Sequence, residues 1–387
     1  VRHDTVPRTA LQQPDWPDPV RLREVRTELA ARPGLVTADE VRQLRAQLAV
    51  VAAGEAVVVQ AGDCAEDFAE CEPGYVARKA GLLDLLAGAL KMTTHRPVVR
   101  IGRIAGQFGK PRSSPVEVVG GVELPVYRGH MVNSPEPDPR GRRPDPDRLL
   151  AGYAAARMAT RVLGWGGGVT RHLADPPVWT SHEALLLDYE VPMLRRDRLG
   201  DTYLASTHLP WIGERTRQVD GAHVALLADV ANPVGCKVGP RMSTDELVAL
   251  AERLDPHREP GRLTLISRMG ADLVAERLPA LVAAVRAAGH PVIWLCDPMH
   301  GNTARTPDGL KTRYVETVVA EIQRFQTAVR VGGGVVGGLH LETTPDDVTE
   351  CASDPANAEH VGDKYTSFCD PRLNPGQAIT AAAAWTG

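Results

Sequence analysis

The chain is poor in several features that would assign a class at once. No stretch of about 18 apolar residues occurs among its 387, so no membrane-spanning helix is expected. Aromatic residues are only 4%, too few for the stacking platforms that hold single-stranded nucleic acid. Neither sign of charge prevails: 44 Lys and Arg stand against 48 Asp and Glu, a formal net charge of −4. That excludes a global field steering the protein to nucleic acid or a membrane, though not a local basic pocket. Six cysteines over this length make no disulfide scaffold, and neither a CxxC pair nor an HExxH motif is present. The first residues, VRHDTVPRTALQQPDWPDP, are polar and proline-rich with no apolar stretch. No secretory signal is expected there, and a reducing cytoplasm is the expected setting.

What is present is globular. Apolar residues are 43% and charged residues 24%, which excludes a disordered chain, a coiled coil and a collagen-like fibre. The length is ample for a large buried core. Residues 1–20 read as an extended arm, because Pro14, Pro17 and Pro19 oppose a helix. The capping-box pattern Thr37-Ala38-Asp39-Glu40 then opens a helix to about Ala53. Short apolar runs follow at 57–60, 98–101, 178–180, 203–206, 234–238, 263–267, 292–296 and 335–341. Helical patterns separate most of them, at 75–90, 147–163, 243–254, 271–288 and 310–329. Ser243-Thr244-Asp245-Glu246 is a second capping box. Apolar strands alternating with amphipathic helices predict a parallel sheet covered by helices.

The expected fold is therefore an α/β (β/α)₈ TIM barrel, with a short N-terminal extension and a long insertion after strand 2. Residues 133–147 within that insertion are too rich in Pro and Gly for regular structure. The expected division is 1–56 as arm and helices and 57–387 as the catalytic barrel. Residues 165–168, Trp-Gly-Gly-Gly, read as a turn. The glycines at 332–334 and 337–338 lead into a strand, unlike a dinucleotide fingerprint.

Polar residues collect just after the apolar runs, where a barrel of this kind carries its chemistry. Two groups separate. Cys64 follows strand 1, His300 follows strand 7, Glu342 ends strand 8, and Asp370 comes shortly after. Strands 8 and 1 are neighbours in a closed barrel. One thiolate, one imidazole and two carboxylates suit Mn²⁺, Fe²⁺, Co²⁺ or Zn²⁺ better than Ca²⁺ or Mg²⁺. Taken singly, Cys64 reads equally as a small buried hydrophobe and His300 as a turn residue; the barrel alone unites them. The second group is cationic: Arg103, Lys110, Arg112, Arg215, Lys237 and Arg268, with Ser113 and Ser114 beside them. Such convergence calls for more than one phosphate or carboxylate. Any one of them alone is an ordinary surface ion pair. His182 and Glu183 either act in catalysis or fix a loop. His340 shares a strand face with Glu342 and is expected behind the metal.

In order along nearly the whole chain, these motifs resemble the type II 3-deoxy-D-arabino-heptulosonate 7-phosphate (DAHP) synthases. The resemblance rests on WPD at 16–18, QAGDCAE at 60–66, GQ at 106–107 after Arg103, KPRSS at 110–114, WTSHEA at 179–184 and WIGERT at 211–216. It continues through KVGP at 237–240, SRMG at 267–270, DPMHGNT at 297–303, GLHLETT at 338–344 and CDPRLN at 369–374. It implies a metal-dependent condensation of phosphoenolpyruvate with erythrose 4-phosphate to DAHP and phosphate, the first step toward shikimate and aromatic compounds. Mn²⁺ or Co²⁺ is the implied cofactor, on Cys64, His300, Glu342 and Asp370. Phosphoenolpyruvate contacts fall on Arg103, Lys110, Glu214 (through its backbone), Arg215, Lys237 and Arg268, and the aldose phosphate falls to Arg112 and Ser113. Catalytic roles fall on His300, Lys237, Glu214 and Trp211, the last two holding the water that adds at C2.

The resemblance implies a cytoplasmic homodimer or homotetramer, with chorismate mutase as a conceivable partner. Three departures stand out. Ala61 replaces a glycine, His130 stands where relatives carry Asp, and the segment before Gln60 is short beside members with regulatory helices. Weak or absent feedback inhibition by aromatic amino acids is therefore expected, as is a role in secondary metabolism. Cys369 next to Asp370 places a second thiol near Cys64, so an oxidative disulfide is expected to eject the metal. The competing readings are an aminoDAHP synthase acting on an imino or amino tetrose phosphate, a retired barrel that only binds sugar phosphates or a partner, and a metal-dependent hydrolase.

Overall fold

The structure, a computed structural model, describes residues 10–166 and 175–386. Eight parallel strands close into a barrel: β1 Val57–Gly62, β2 Val98–Arg103, β3 Val178–Glu183, β4 Leu209–Ile212, β5 Val234–Val238, β6 Leu263–Ser267, β7 Ile293–Cys296 and β8 Val335–Glu342. They pair in the circular order β1-β8-β7-β6-β5-β4-β3-β2. Helices cover one face and packed side chains fill the other, so almost every strand residue is buried.

Seven of the eight strands are those expected from the apolar runs. The fourth is not. Residues 202–204 leave the barrel and pair antiparallel with Leu194–Arg196, while Leu209–Ile212 takes the barrel position. That strand contains Pro210, and a proline cannot donate to a ladder. Its pairing with β5 begins only at Trp211, past the proline.

The helices are α1 Pro19–Ala31, α2 Ala38–Ala52, α3 Pro73–Thr94, α4 Asp147–Val162, α5 Ala222–Ala228, α6 Thr244–Leu254, α7 Val274–Ala287, α8 Val315–Val331 and α9 Pro375–Ala383. The arm ends sooner than its prolines suggest. Pro19 is the first residue of α1, where a missing N–H costs nothing, and the Asp18 carboxylate caps it. At α2 the capping box forms in both directions between Thr37 and Glu40. At α6 only half of it forms. Ser243 accepts from the Glu246 N–H, but the Glu246 carboxylate turns to Arg217. The start expected near 310 for α8 is also wrong, because Lys311–Thr312 forms a small ribbon with Ala304–Arg305.

The insertion after β2 is irregular over 133–146, as its composition predicts. It also contains a hairpin, Val116–Val119 with Val122–Pro125, whose Gly120-Gly121 turn has φ of 58° and 81°. Two left-handed residues in a two-residue loop are the hairpin signature. Between β3 and β4 the helical part is short, a turn at Leu187–Glu190 followed by a 3-10 turn at Val191–Met193, and α1 packs over the first of these and over α4. Helix α2 buries Leu44, Leu48 and Val51 beneath the barrel, and its Gln47 accepts the Trp179 indole N–H at 2.9 Å. The opposite, C-terminal mouth stays open. The turn expected at 165–168 lies partly outside the described residues.

Candidate active site

The register that closes the barrel assembles the first group. Gly62 pairs with Glu342 on one side and with Arg103 on the other. A Cβ on Gly62, whose φ is 147°, would meet the Arg103 carbonyl oxygen at 2.6 Å. Glycine thus lets three strands close together at this level. Cys64 lies just beyond Gly62, and β7, on the other flank of β8, leads to His300.

His300, Glu342 and Asp370 each present a ligand atom within 4.8 Å of the others. The Cys64 Sγ adjoins them, 3.4 Å from Asp370 N and 3.5 Å from its carbonyl oxygen. Imidazole, carboxylate and thiol donors at one point fit a divalent transition ion. Asp297 orients the imidazole: its carboxylate lies 2.8 Å from His300 Nδ1. In the neutral ring this keeps the proton on Nδ1 and turns the Nε2 lone pair toward Glu342, 3.2 Å away. Burial pushes Glu342 and Asp297 up, but His300 and the neighbouring cations outweigh it, so both lie well below the carboxylate range. The Cys64 thiol is brought down to about 6, chiefly by its hydrogen bond with Cys369. Burial opposes that shift and Lys110 assists it.

The cations meet this cluster in one cavity of about 570 Å³. Arg103, Lys110, Lys237 and Arg268 line its inner wall, and Arg112, Ser113 and Arg215 line its rim. Every one of these sequence-derived candidates therefore reaches the same space, together with Trp211 and Glu214. Their mutual repulsion is partly offset by carboxylates. Arg103 meets Glu342 at 3.0 Å, Lys110 meets Asp370 at 2.8 Å, and Lys237 meets Asp297. Arg215 instead donates to Ser113 Oγ at 2.6 Å and Arg268 to the His300 carbonyl at 3.2 Å. Among the described residues neither has a carboxylate partner. Uncompensated cationic charge thus stands both at the rim, on Arg215, and on the inner wall, on Arg268.

Trp211 is buried, with the Arg103 guanidinium 5.4 Å from its ring centre. The Glu214 carboxylate accepts from Arg217 at 2.9 Å and presses on Gly239, where a Cβ would lie 2.8 Å from it. Its second oxygen is buried without a hydrogen-bond partner.

Other side chains separate into support and wall. His182 is support: it is buried and 2.8 Å from Glu190. Glu183 lines the cavity, one oxygen has no partner, and burial raises its pKa. His340 stands behind Arg103. Arg103 Nη1 is 3.0 Å from its Nε2, and Gln60 Oε1 is 2.7 Å from its Nδ1. A ring placed so accepts from the guanidinium and donates to Gln60, which orients Arg103 toward the cavity. His130 packs among Phe68, Tyr127 and Phe368, with ring centres 5.3–5.6 Å apart. Its contacts are therefore aromatic, plus a hydrogen bond between its Nδ1 and the Tyr127 hydroxyl and Asp67 at 3.4 Å.

The sequence reading missed three charged residues. Arg313 is buried and 2.9 Å from Glu342, Lys311 is 2.9 Å from Asp370, and Asp297 joins His300 to Lys237. Lys311 and Arg313 sit in the stretch assigned to a helix, so their i, i+2 alternation went unread. A further buried network fixes the loops. Lys79 and Arg372 both reach Asp63 at 2.7 Å, and Arg372 also binds Glu350 at 2.8 Å. Glu66 accepts the backbone N–H groups of Ala105, Gly106 and Gln107, and so stabilises Ala105 at φ 69°.

Comparison with known proteins adds to this geometry. The model of the class-II DAHP synthetase family matches residues 3–166 and 160–385. A probable phospho-2-dehydro-3-deoxyheptonate aldolase of Pseudomonas fluorescens is 59% identical over 377 residues, 97% of this chain and 94% of that one. A phospho-2-dehydro-3-deoxyheptonate aldolase of Streptomyces coelicolor is 40% identical over 421 residues, 96% of this chain and 94% of its own. The structure of a phospho-2-dehydro-3-deoxyheptonate aldolase from Francisella tularensis shares the fold. Its TM-score is 0.52 at 12% identity, covering 89% of this chain and 91% of that one.

Proposed function

The chain belongs to the class-II DAHP synthetase family, and from that premise we propose that it condenses phosphoenolpyruvate with erythrose 4-phosphate, giving DAHP and phosphate. The observation that carries the reading is one cavity holding both a three-donor metal cluster and six converging cations. Two anionic substrates and one divalent ion account for that charge; neither alone does. The inner cations, Arg103, Lys110, Lys237 and Arg268 with Arg215, hold the phosphate and carboxylate of phosphoenolpyruvate. Arg112 and Ser113 at the rim take the phosphate of the aldose. Fixing both substrates removes much of the entropic barrier to attack.

His300, Glu342, Asp370 and Cys64 hold the ion, with Mn²⁺ or Co²⁺ the best match to these donors. When bound, it supplies Lewis acidity at the aldehyde oxygen. Trp211 walls the inner end. Glu214 offers a free carboxylate oxygen, placed to orient the water that adds at C2. Lys237 stabilises charge on the phosphate that leaves. His300 keeps its Nδ1 proton toward Asp297.

The direct test follows phosphate release and loss of phosphoenolpyruvate absorbance with erythrose 4-phosphate, using chelated protein with and without Mn²⁺ or Co²⁺. Turnover restored by metal and absent in Cys64→Ala is expected. A folded protein inert in both states would shift the reading to an amino-tetrose substrate.

Oxidation provides a separate prediction. Cys369 is the group that lowers the Cys64 thiol most, and the thiolate is the reactive form. Peptide mapping of an aerobically aged, inactive sample should show them joined, with metal content lost in step. Both thiols free in such a sample would eliminate this route.

A further inference from the structure

The N-terminal arm carries no chemistry in the sequence, yet residues 12–16 bind loops beside the C-terminal mouth. Gln13 brackets the loop after β3. Its amide donates to the Leu185 carbonyl at 2.8 Å and accepts from the Leu187 N–H at 2.9 Å. The Trp16 indole donates to Asp188 at 2.9 Å. These contacts dock the arm. Gln12 does something else. Its Oε1 accepts the backbone N–H of Arg112 at 2.8 Å, and its carbonyl oxygen accepts from Arg128 at 3.4 Å. To do so it holds φ at 63°, the left-handed region that a side chain such as glutamine rarely adopts. A residue held in that conformation, with its amide aimed at one loop, suggests a role at that loop.

Arg112 is half-buried on the cavity rim, and its guanidinium is 3.0 Å from Glu117. The next residue, Ser113, receives Arg215. We propose that Gln12 is a positioning residue for the phosphate end of the aldose substrate. By pinning the Arg112 backbone it sets the aim of the Arg112 guanidinium and the Ser113 hydroxyl. This rests on the reading of Arg112 and Ser113 as the aldose-phosphate subsite. Removing the Gln12 amide leaves Gln13, Trp16 and α1 to hold the arm in place, so the effect is local.

The test compares Gln12→Ala, Gln12→Glu and Arg112→Ala by steady-state kinetics with each substrate varied. Alanine loses the acceptor but keeps a Cβ at the same φ, so backbone strain is unchanged. For Gln12→Ala, the KM for erythrose 4-phosphate should rise about five-fold, the scale of one hydrogen bond, with kcat and the KM for phosphoenolpyruvate within about two-fold. Gln12→Glu keeps an acceptor and should restore the aldose KM. An unchanged aldose KM in Gln12→Ala, or a rise shared equally with phosphoenolpyruvate, would overturn the proposal. Arg112→Ala separates the two failures. If it raises the aldose KM while Gln12→Ala does not, only the positioning role is lost. If it leaves the aldose KM unchanged, the subsite reading fails and the proposal with it.

Discussion

Glu342→Gln should abolish turnover, empty the protein of tightly bound metal and destabilise the fold. The side chain is fully buried at the end of β8. One oxygen lies 3.0 Å from Arg103 and 3.2 Å from His300, and the other lies 2.9 Å from Arg313. Lys110 is 3.9 Å away. The amide keeps the shape and removes the charge, so three buried cations lose their shared counter-ion and an N–H₂ must face one of them. Breaking a buried pair in this way costs about 3–5 kcal/mol. Loss of a direct donor should cost metal affinity more than the ~10–100-fold typical of groups one step further out.

The measurements are metal content after gel filtration, a denaturant melt and single-turnover kinetics. A variant that keeps its metal and turns over within about ten-fold of wild type would remove Glu342 from the centre. Acid should reproduce part of the stability loss. The folded pKa of Glu342 lies below its ordinary 4.5, so its contribution is present above that value and fades as pH falls through the folded one. Asp370→Asn should be the milder change. That residue is 18% exposed, and its partner Lys311, 37% exposed, can turn to solvent.

The barrel was legible because strands buried on both faces read as unbroken apolar runs, and VVVQ, LTLIS and VGCKV are such runs. Leu209–Ile212 was not, because it is only four residues long and contains Pro210, which cannot donate to a ladder. The candidate site was legible through position: Cys64, Lys237, Arg268 and His300 all follow or end strands, and a closed barrel forces such residues together. Arg313 and Lys311 were missed because they lie in the helical pattern read over 310–329, whereas Lys311–Thr312 pairs as a ribbon with Ala304–Arg305. The hairpin at 116–125 was marked by Gly120-Gly121 between valines, a local signal that the surrounding proline and arginine obscured. Gln12 had no local signal at all. Its partner is the backbone N–H of Arg112, a group every residue but proline carries, so no pattern of residue types points to it.

Alkaline pH should switch the enzyme off before it unfolds it, and Lys237 is the group responsible. Its ammonium is buried in the cavity wall, against Asp297 but also facing Arg103 and Arg268. Burial and the two guanidiniums pull its pKa from 10.5 down to about 8, and Asp297 offsets them only in part. Asp297 stays ionised because it has His300 as a second partner. A neutral amine cannot hold a phosphate or stabilise its departure. The kcat/KM for phosphoenolpyruvate should therefore fall as pH rises through about 8. Once the anionic substrate is bound its charge favours the ammonium, so the corresponding fall in kcat should come at higher pH. Lys237→Met should lack this limb and run lower by on the order of 10²–10³-fold throughout.

Stability moves the other way. Between the folded value near 8 and the ordinary 10.5, the unfolded chain binds more protons at this site than the folded one, so this group's contribution to stability rises with pH. A pH–rate profile paired with melts at each pH separates the two effects. If activity falls only where the melt shows unfolding, or the limb persists in Lys237→Met, another group carries the transition. If activity falls alone and the limb vanishes with the lysine, the charge of Lys237 is what the substrate phosphate requires.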